Sequence, residues 1–164
     1  MAAETRALIS SLDHQRHHVQ AILEGLTDEQ LRRANLPSAW TCLGLVRHLA
    51  LDVEHYWFRC ITAGESLDFF KDESNSDRDA WQLDPGTSPQ EVFDLYRAEI
   101  EWSNAIVEST PLDAPPQLRD EWWGSWEVPD LRFILLHVIA ETACHAGHPD
   151  AARELIDHRQ WITL

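Results

Sequence analysis

Four side chains in the stretch HVIAETACHAGH could share one chemistry: His137, Glu141, His145 and His148, spaced four, four and three apart. An α-helix turns roughly 100° per residue, so all four fall within roughly 80° of arc. Side chains four apart on one helix are neighbours, and an imidazole and a carboxylate so placed can share a divalent ion. Two ligands from one helix need a third from elsewhere. His48, midway along an earlier helical stretch, is the donor that stands out. A His–Glu–His set supplies three protein ligands and keeps a position open for water or substrate, as catalytic zinc sites do. The same donors suit iron, nickel or manganese, so ligand type does not by itself select zinc. Spacing also leaves open an exposed salt-bridging face, or a core histidine satisfied by a carboxylate. The flanking Ile134, Leu135, Val138 and Ile139 argue for a largely buried helix, and a buried carboxylate requires a partner.

Other residues qualify this set. His137 and His148 sit one turn before and after the Glu141–His145 pair, as pocket lining, as a proton shuttle or as a fourth ligand. Asp52 and His55 follow His48 on the same predicted stripe, and Asp52 could orient a ligand imidazole or be a solvated acid. Trp40 and Trp57 flank His48, while Trp122, Trp123 and Trp126 precede the ligand helix. Eight tryptophans are many for this length; most are expected to pack, and some to wall a pocket. A competing cluster, His14, His17 and His18, has Arg16 among it and reads as a solvated face. Cys144, one residue before His145, points roughly 100° away from it and reads as packing.

These residues need helices to position them, and helical periodicity recurs four times. The first helix spans about Thr5–Glu24, with Leu8, Leu12, Val19, Ile22 and Leu23 as its apolar face and Gly25 as its stop. TDEQLRR, residues 27–33, reads as a short helix capped by Thr27. The second long helix spans about Thr41–Ala63, with Leu45, Leu49, Val53 and Trp57 as core and Gly64 as its stop. A long polar connection, residues 64–87, must pack Phe69, Phe70 or Trp81 against the bundle. In SPQE, Ser88 caps the third helix, Pro89 takes its first position and Glu91 completes a capping box; Val92, Leu95, Ile100 and Ile106 are among its apolar positions. The fourth begins near Asp130, and Pro149 predicts a kink or restart before DAARELID. Strand patterns are nearly absent. The expectation is an all-α, four-helix bundle with long crossover connections, one unit over residues 1–164.

Composition narrows the function. The chain has 164 residues, 44% of them hydrophobic, and a formal net charge of −15. That charge argues against nucleic acid and against anionic membrane surfaces. No apolar run reaches the roughly 20 residues that span a bilayer. Three scattered cysteines make no disulfide framework. With no signal-peptide pattern at the start, a cytoplasmic protein is expected. The basic residues are almost all arginine, with Lys71 the single lysine, which points loosely to a high-GC bacterium.

Three segments resemble the DinB-like family, which includes the mycothiol-dependent maleylpyruvate isomerases and the mycothiol and bacillithiol S-transferases. SAWTCLGLVRHLALDVEHYWF is similar to its second-helix signature, LRFILLHVIAETACHAGH to its last-helix signature, and LDHQRHHVQAILEGLTDEQLRR to its opening helix and turn. The resemblance implies metal ligands at His48, Glu141 and His145, and a low-molecular-weight thiol, mycothiol, as cosubstrate. The resulting expectation is a metal-dependent S-transferase acting on a small electrophile, with His148 or His137 moving protons. A metal-dependent hydrolase is the first alternative. A non-catalytic metal or ligand-binding bundle, in the form of a homodimer, is the second.

Overall fold

A computed structural model describes residues 2–71, 81 and 83–161, and among these every regular element is helical. The first helix, α1 (Ala3–Leu23), buries Leu12, Val19, Ile22 and Leu23 and ends before Gly25, whose φ of 79° lets the chain turn without steric strain. The short α2 (Asp28–Arg32) opens on a complete capping box: Thr27 Oγ1 accepts from the Gln30 amide, and Gln30 Oε1 accepts from the Thr27 amide. Thr41 caps α3 (Cys42–His48) by accepting from the Gly44 amide at 3.0 Å.

Beyond His48 the helix runs on as a π-helical stretch, Leu49–Thr62. Its last turn shows the five-residue bond directly, the Ala63 amide donating to the Phe58 carbonyl at 3.0 Å. A one-turn helix, α4 (Asp68–Lys71), follows. The rest of the connection that was expected to cross the bundle lies largely outside the described residues. Next, α5 (Pro89–Ser109) starts with the expected Ser88 cap, Pro89 and Glu91 capping box. Its buried positions, however, are Val92, Tyr96, Glu99, Ser103 and Val107, while Leu95, Ile100 and Ile106 are only half-buried. The inner face is partly polar because α5 receives charged side chains from its neighbours: Arg59 donates to Glu99, and Arg16 to Asn104.

The chain then crosses through residues 110–130, held at both ends by backbone bonds. The Gln117 and Leu118 amides donate to the Ile61 carbonyl, and Leu112 and Ala114 carbonyls accept from Arg132 and Leu131. A 3-10 turn, Glu121–Trp123, lies within this crossing. The final helix, α6 (Leu131–Asp157), is capped by Asp130, whose Oδ1 accepts from the Phe133 amide at 2.9 Å. It continues through Pro149 to Asp157, so the expected restart is absent. Proline there removes only the donor that would meet the His145 carbonyl.

The four long helices pack in a ring. Contacts join α1 to α6, α6 to α3 and its continuation, those to α5, and α5 to α1. Leu45, Leu49, Val53 and Trp57 are all buried at its centre, as their spacing predicts, with Ile134, Leu135 and Val138 from α6. Among the described residues, no helix is long and apolar enough to cross a membrane.

Candidate metal centre and its aromatic pocket

His48 leaves α3 at the point where π-helical bonding begins, and this change of pitch decides what surrounds it. With α-helical spacing, His55 would share the face of His48 and Trp57 would lie opposite. A π turn takes roughly 4.4 residues, about 80° each. That brings Trp57, nine positions on, back to the face of His48 and carries His55 away. The structure follows the second pattern. Trp57 lines the same cavity as His48, whereas the His55 Nδ1 meets Glu99 Oε1 at 3.3 Å beside α5. His55 is therefore not part of this site, contrary to the sequence expectation.

His48 and the α6 pair converge. One potential ligand atom each from His48, Glu141 and His145 lies within 4.8 Å of the other two. Among the described residues this is the single group of three or more His, Cys, Asp or Glu side chains so arranged. His48 Nδ1 is 2.7 Å from Asp52 Oδ2. That contact fixes the ring as a carboxylate does behind a ligand histidine, and directs the other nitrogen forward. That other nitrogen, His48 Nε2, is buried with no hydrogen-bond partner. His145 Nε2 lies 3.1 Å from Glu141 Oε1, and its Nδ1 is likewise buried and unpartnered. Buried polar atoms normally have partners. The orphaned His48 Nε2, facing the Glu141 carboxylate and the His145 ring, fits a cation held among the three side chains. Burial pushes the His145 imidazole below its ordinary value, the nearby His48 adds to this, and Glu141 opposes both. The neutral imidazole thereby favoured is the form that ligates metal.

The rings around the ligands are mostly aromatic. Trp81 stacks on His48 with centroids 4.4 Å apart and planes at 21°. His148 lies 5.3 Å from the His145 ring, meets Trp40 edge-on, and has a buried, unpartnered Nδ1. His148 therefore stays beside the ligands, and Trp40 packs against it. His137 sits between Trp57 and Trp126, 4.7 and 5.4 Å away. Burial lowers its pKa, against an opposing pull from Glu141.

A cavity of about 690 Å³ opens beside the ligands, walled by Trp57, Trp122 and Trp126, with His48, Asp52, His137 and Glu141 at its polar side. Its remaining wall contains two residues the sequence did not mark, Tyr56 and Asp120. The Tyr56 hydroxyl donates to Asp120 Oδ2 at 3.1 Å and accepts from the indole nitrogens of Trp122 and Trp123 at 2.9 and 3.0 Å. Burial raises the Tyr56 pKa well above its ordinary value. With its donor and both lone pairs engaged, this hydroxyl holds the Trp-rich turn in place. The available sequence signal was Asp120 capping the turn just before paired tryptophans.

The competing histidine cluster does not assemble. His14 and His17 are exposed as expected, but His18 and Arg16 are buried. His18 meets Asp150 Oδ2 at 2.8 Å and stacks on Trp161. Arg16 turns inward because Glu54 offers a bidentate partner, with contacts of 2.7 and 2.6 Å. Cys144 is exposed, not packed. Cys42 and Cys60 are buried, and burial pushes their thiols up to about 11 and about 12. Neither carries thiolate at neutral pH.

The family model that matches the chain, over residues 7–158, is described as MST: Mycothiol-S-transferase. No curated protein matches, and no solved structure does.

Proposed function

The chain belongs to the mycothiol S-transferase family, and on that premise we propose that it catalyses divalent-metal-dependent transfer of mycothiol, or a similar low-molecular-weight thiol, to a small electrophile. The observation that carries the metal half of this reading is the convergence of His48, Glu141 and His145, with His48 Nε2 orphaned among them. The thiol half rests on the family.

His48, Glu141 and His145 would hold the ion, zinc in the first instance and nickel, iron or manganese otherwise. A divalent ion in that position supplies Lewis acidity, which lowers the pKa of a sulfhydryl so that thiolate forms near neutral pH. Asp52 accepts a hydrogen bond from His48 Nδ1–H and keeps the ring aligned. His137, held neutral by burial and facing the cavity, accepts the proton that the thiol gives up. The sulfur then bonds to the electrophilic carbon, the leaving group departs with the bonding pair, and the proton on His137 returns to it or to water. His148, beside His145 but turned toward Trp40, serves as the alternative proton carrier. Trp57 and Trp126 shield the cavity from water, and with the exposed Trp122 they offer an aromatic wall suited to an apolar electrophile. Free thiols persist in reducing compartments, so the reading favours a cytoplasmic protein.

The purified protein is expected to retain a stoichiometric divalent metal by native mass spectrometry. Incubated with mycothiol and a chlorinated aromatic electrophile, it should form the thioether conjugate, and His48→Ala should abolish that product. Consumption of the electrophile without thiol incorporation would reassign the site to metal-activated water. A protein that takes up none of zinc, nickel, iron or manganese would defeat the proposal altogether.

A further inference from the structure

Trp81 reaches the metal centre from the long connection between the π-helical stretch and α5, and nothing in the proposed chemistry requires it. Its ring and its backbone both touch the residues around the centre. Its ring stacks on His48 at 4.4 Å and 21°, and lies tilted toward His145 at 5.9 Å. Its backbone presses on α3: a Cβ added to Gly44 would come within 2.9 Å of the Trp81 carbonyl oxygen and 3.7 Å of its carbonyl carbon. The Trp81 atoms are backbone, which cannot swing aside as a flexible side chain can; the other close neighbour, at 3.1 Å, is Oγ1 of Thr41, the cap of the same helix.

Gly44 is thus a residue with a local disadvantage and a tertiary reason. Glycine inside a helix is less stable than alanine, and Gly44 adopts no positive φ that would require it. It stands one turn before His48 on the same helix. Removing its side chain lets the Trp81 backbone settle onto α3, which lays the indole against the face of the His48 ring. Asp52 fixes that ring through Nδ1, and a hydrogen bond at one nitrogen still allows rotation about the bond axis. A stacked indole opposes that rotation.

We propose that Trp81 is a positioning residue for the metal centre, docked through Gly44, and that it holds the His48 imidazole in the plane that directs Nε2 at the cation. The inference rests on the metal reading given above, and its test separates the two.

Co2+ serves as the probe, titrated into the metal-free full-length protein and followed by its visible absorption bands. Trp81→Ala is expected to weaken Co2+ binding about tenfold, the lower end for partners that orient a ligand imidazole. Trp81→Phe, which keeps a stacking ring, should stay within about twofold of the parent protein. Gly44→Ala should weaken Co2+ binding about as much as Trp81→Ala while leaving Trp81 itself in the chain, and should do so although alanine favours the helix. In the metal-free protein, His48 should react faster with diethyl pyrocarbonate in both alanine variants, read by peptide mass spectrometry. Co2+ binding by the parent protein together with unchanged binding in Trp81→Ala and Gly44→Ala would overturn this inference and leave the metal reading intact. No Co2+ binding by the parent protein would overturn both.

Discussion

Two polar clusters branch from neighbouring turns of one helix, and they are built on opposite principles. Glu54, 1% exposed, faces α1 and α5, where both its oxygens accept from Arg16, and Arg16 in turn donates to Asp13 and Asn104. Every charge there has a partner from within the chain. His48, only six residues earlier, faces α6 and leaves Nε2 unpartnered, as His145 leaves Nδ1. The low-dielectric interior makes an unpaired polar group costly. A cluster that closes on itself is therefore a structural one, and a cluster that stays open beside a cavity has donors to spare, which supports the metal reading proposed above. Coordination geometry, and not the mere presence of charge, separates the two.

The largest effect expected from this contrast lies in the closed cluster. Glu54→Ala strands the Arg16 cation in the core and should cost about 3–5 kcal/mol of unfolding free energy. Replacing both partners together, Arg16→Met with Glu54→Leu, should recover most of that loss, since it removes the uncompensated charge. Urea denaturation measures both. An unchanged midpoint for Glu54→Ala would end the claim that this pair is structural. The open cluster should respond in the reverse way. His145→Ala removes a ligand and should weaken Co2+ affinity by more than about 100-fold, beyond the usual effect of removing a supporting partner. The metal-free protein should meanwhile keep its unfolding free energy within about 1 kcal/mol, because the ring's hydrogen-bond contact, with Glu141, is a partly exposed pair on the same helix. A large destabilisation without metal would place His145 among the structural residues instead.

The Glu141–His145 pairing and most helix boundaries are legible in the sequence because both are local, whereas bringing His48 to that pair rests on the family resemblance. Capping boxes at Thr27 and Ser88, Pro89 at the first helical position and Gly25 after α1 are read within four residues of where they act. Glu141 and His145 share a helical face wherever the helix goes. His55 falls away from His48, against expectation, because a single α-helical pitch does not hold through this stretch, whereas Trp57 lines the pocket as expected. The departure into π-helical bonding after His48 is not marked by any cap, glycine or proline in the stretch. Arg16 was assigned to solvent among His14, His17 and His18, since its partner Glu54 is thirty-eight positions away. Tyr56 and Asp120 were missed for the same reason: their meeting across sixty-four positions depends on how the 110–130 crossing is strapped to Ile61 and α6.

A smaller effect tests whether the open cluster is organised beyond its ligands. Asp52 touches no cation in the proposed scheme and acts only through His48. Asp52→Asn keeps a hydrogen-bond acceptor of nearly the same shape, whereas Asp52→Ala leaves His48 Nδ1 without one. Co2+ affinity should fall between about 10- and 100-fold for Asp52→Ala, and less for Asp52→Asn. Equal, negligible losses in both would mean that the 2.7 Å contact is an incidental surface pair.

The smallest expected effect concerns His137, which belongs to neither cluster but lines the cavity beside the open one. Burial lowers its pKa from 6.5. Between that lowered value and about 6.5, the unfolded chain binds a proton that the folded chain refuses. The unfolded state then gains more from acidification, so the stability this residue contributes is complete above about 6.5 and is lost as the pH falls through that window. Urea unfolding of the metal-free protein at pH 7.5, 6.5 and 5.5 should therefore show stability declining toward acid. His137→Gln, which cannot take up a proton, should decline less steeply over the same range. Identical slopes for the two proteins would mean that His137 is as readily protonated when folded as when unfolded. The case for a neutral imidazole ready to receive the thiol proton would then fail, even with the metal ligands intact.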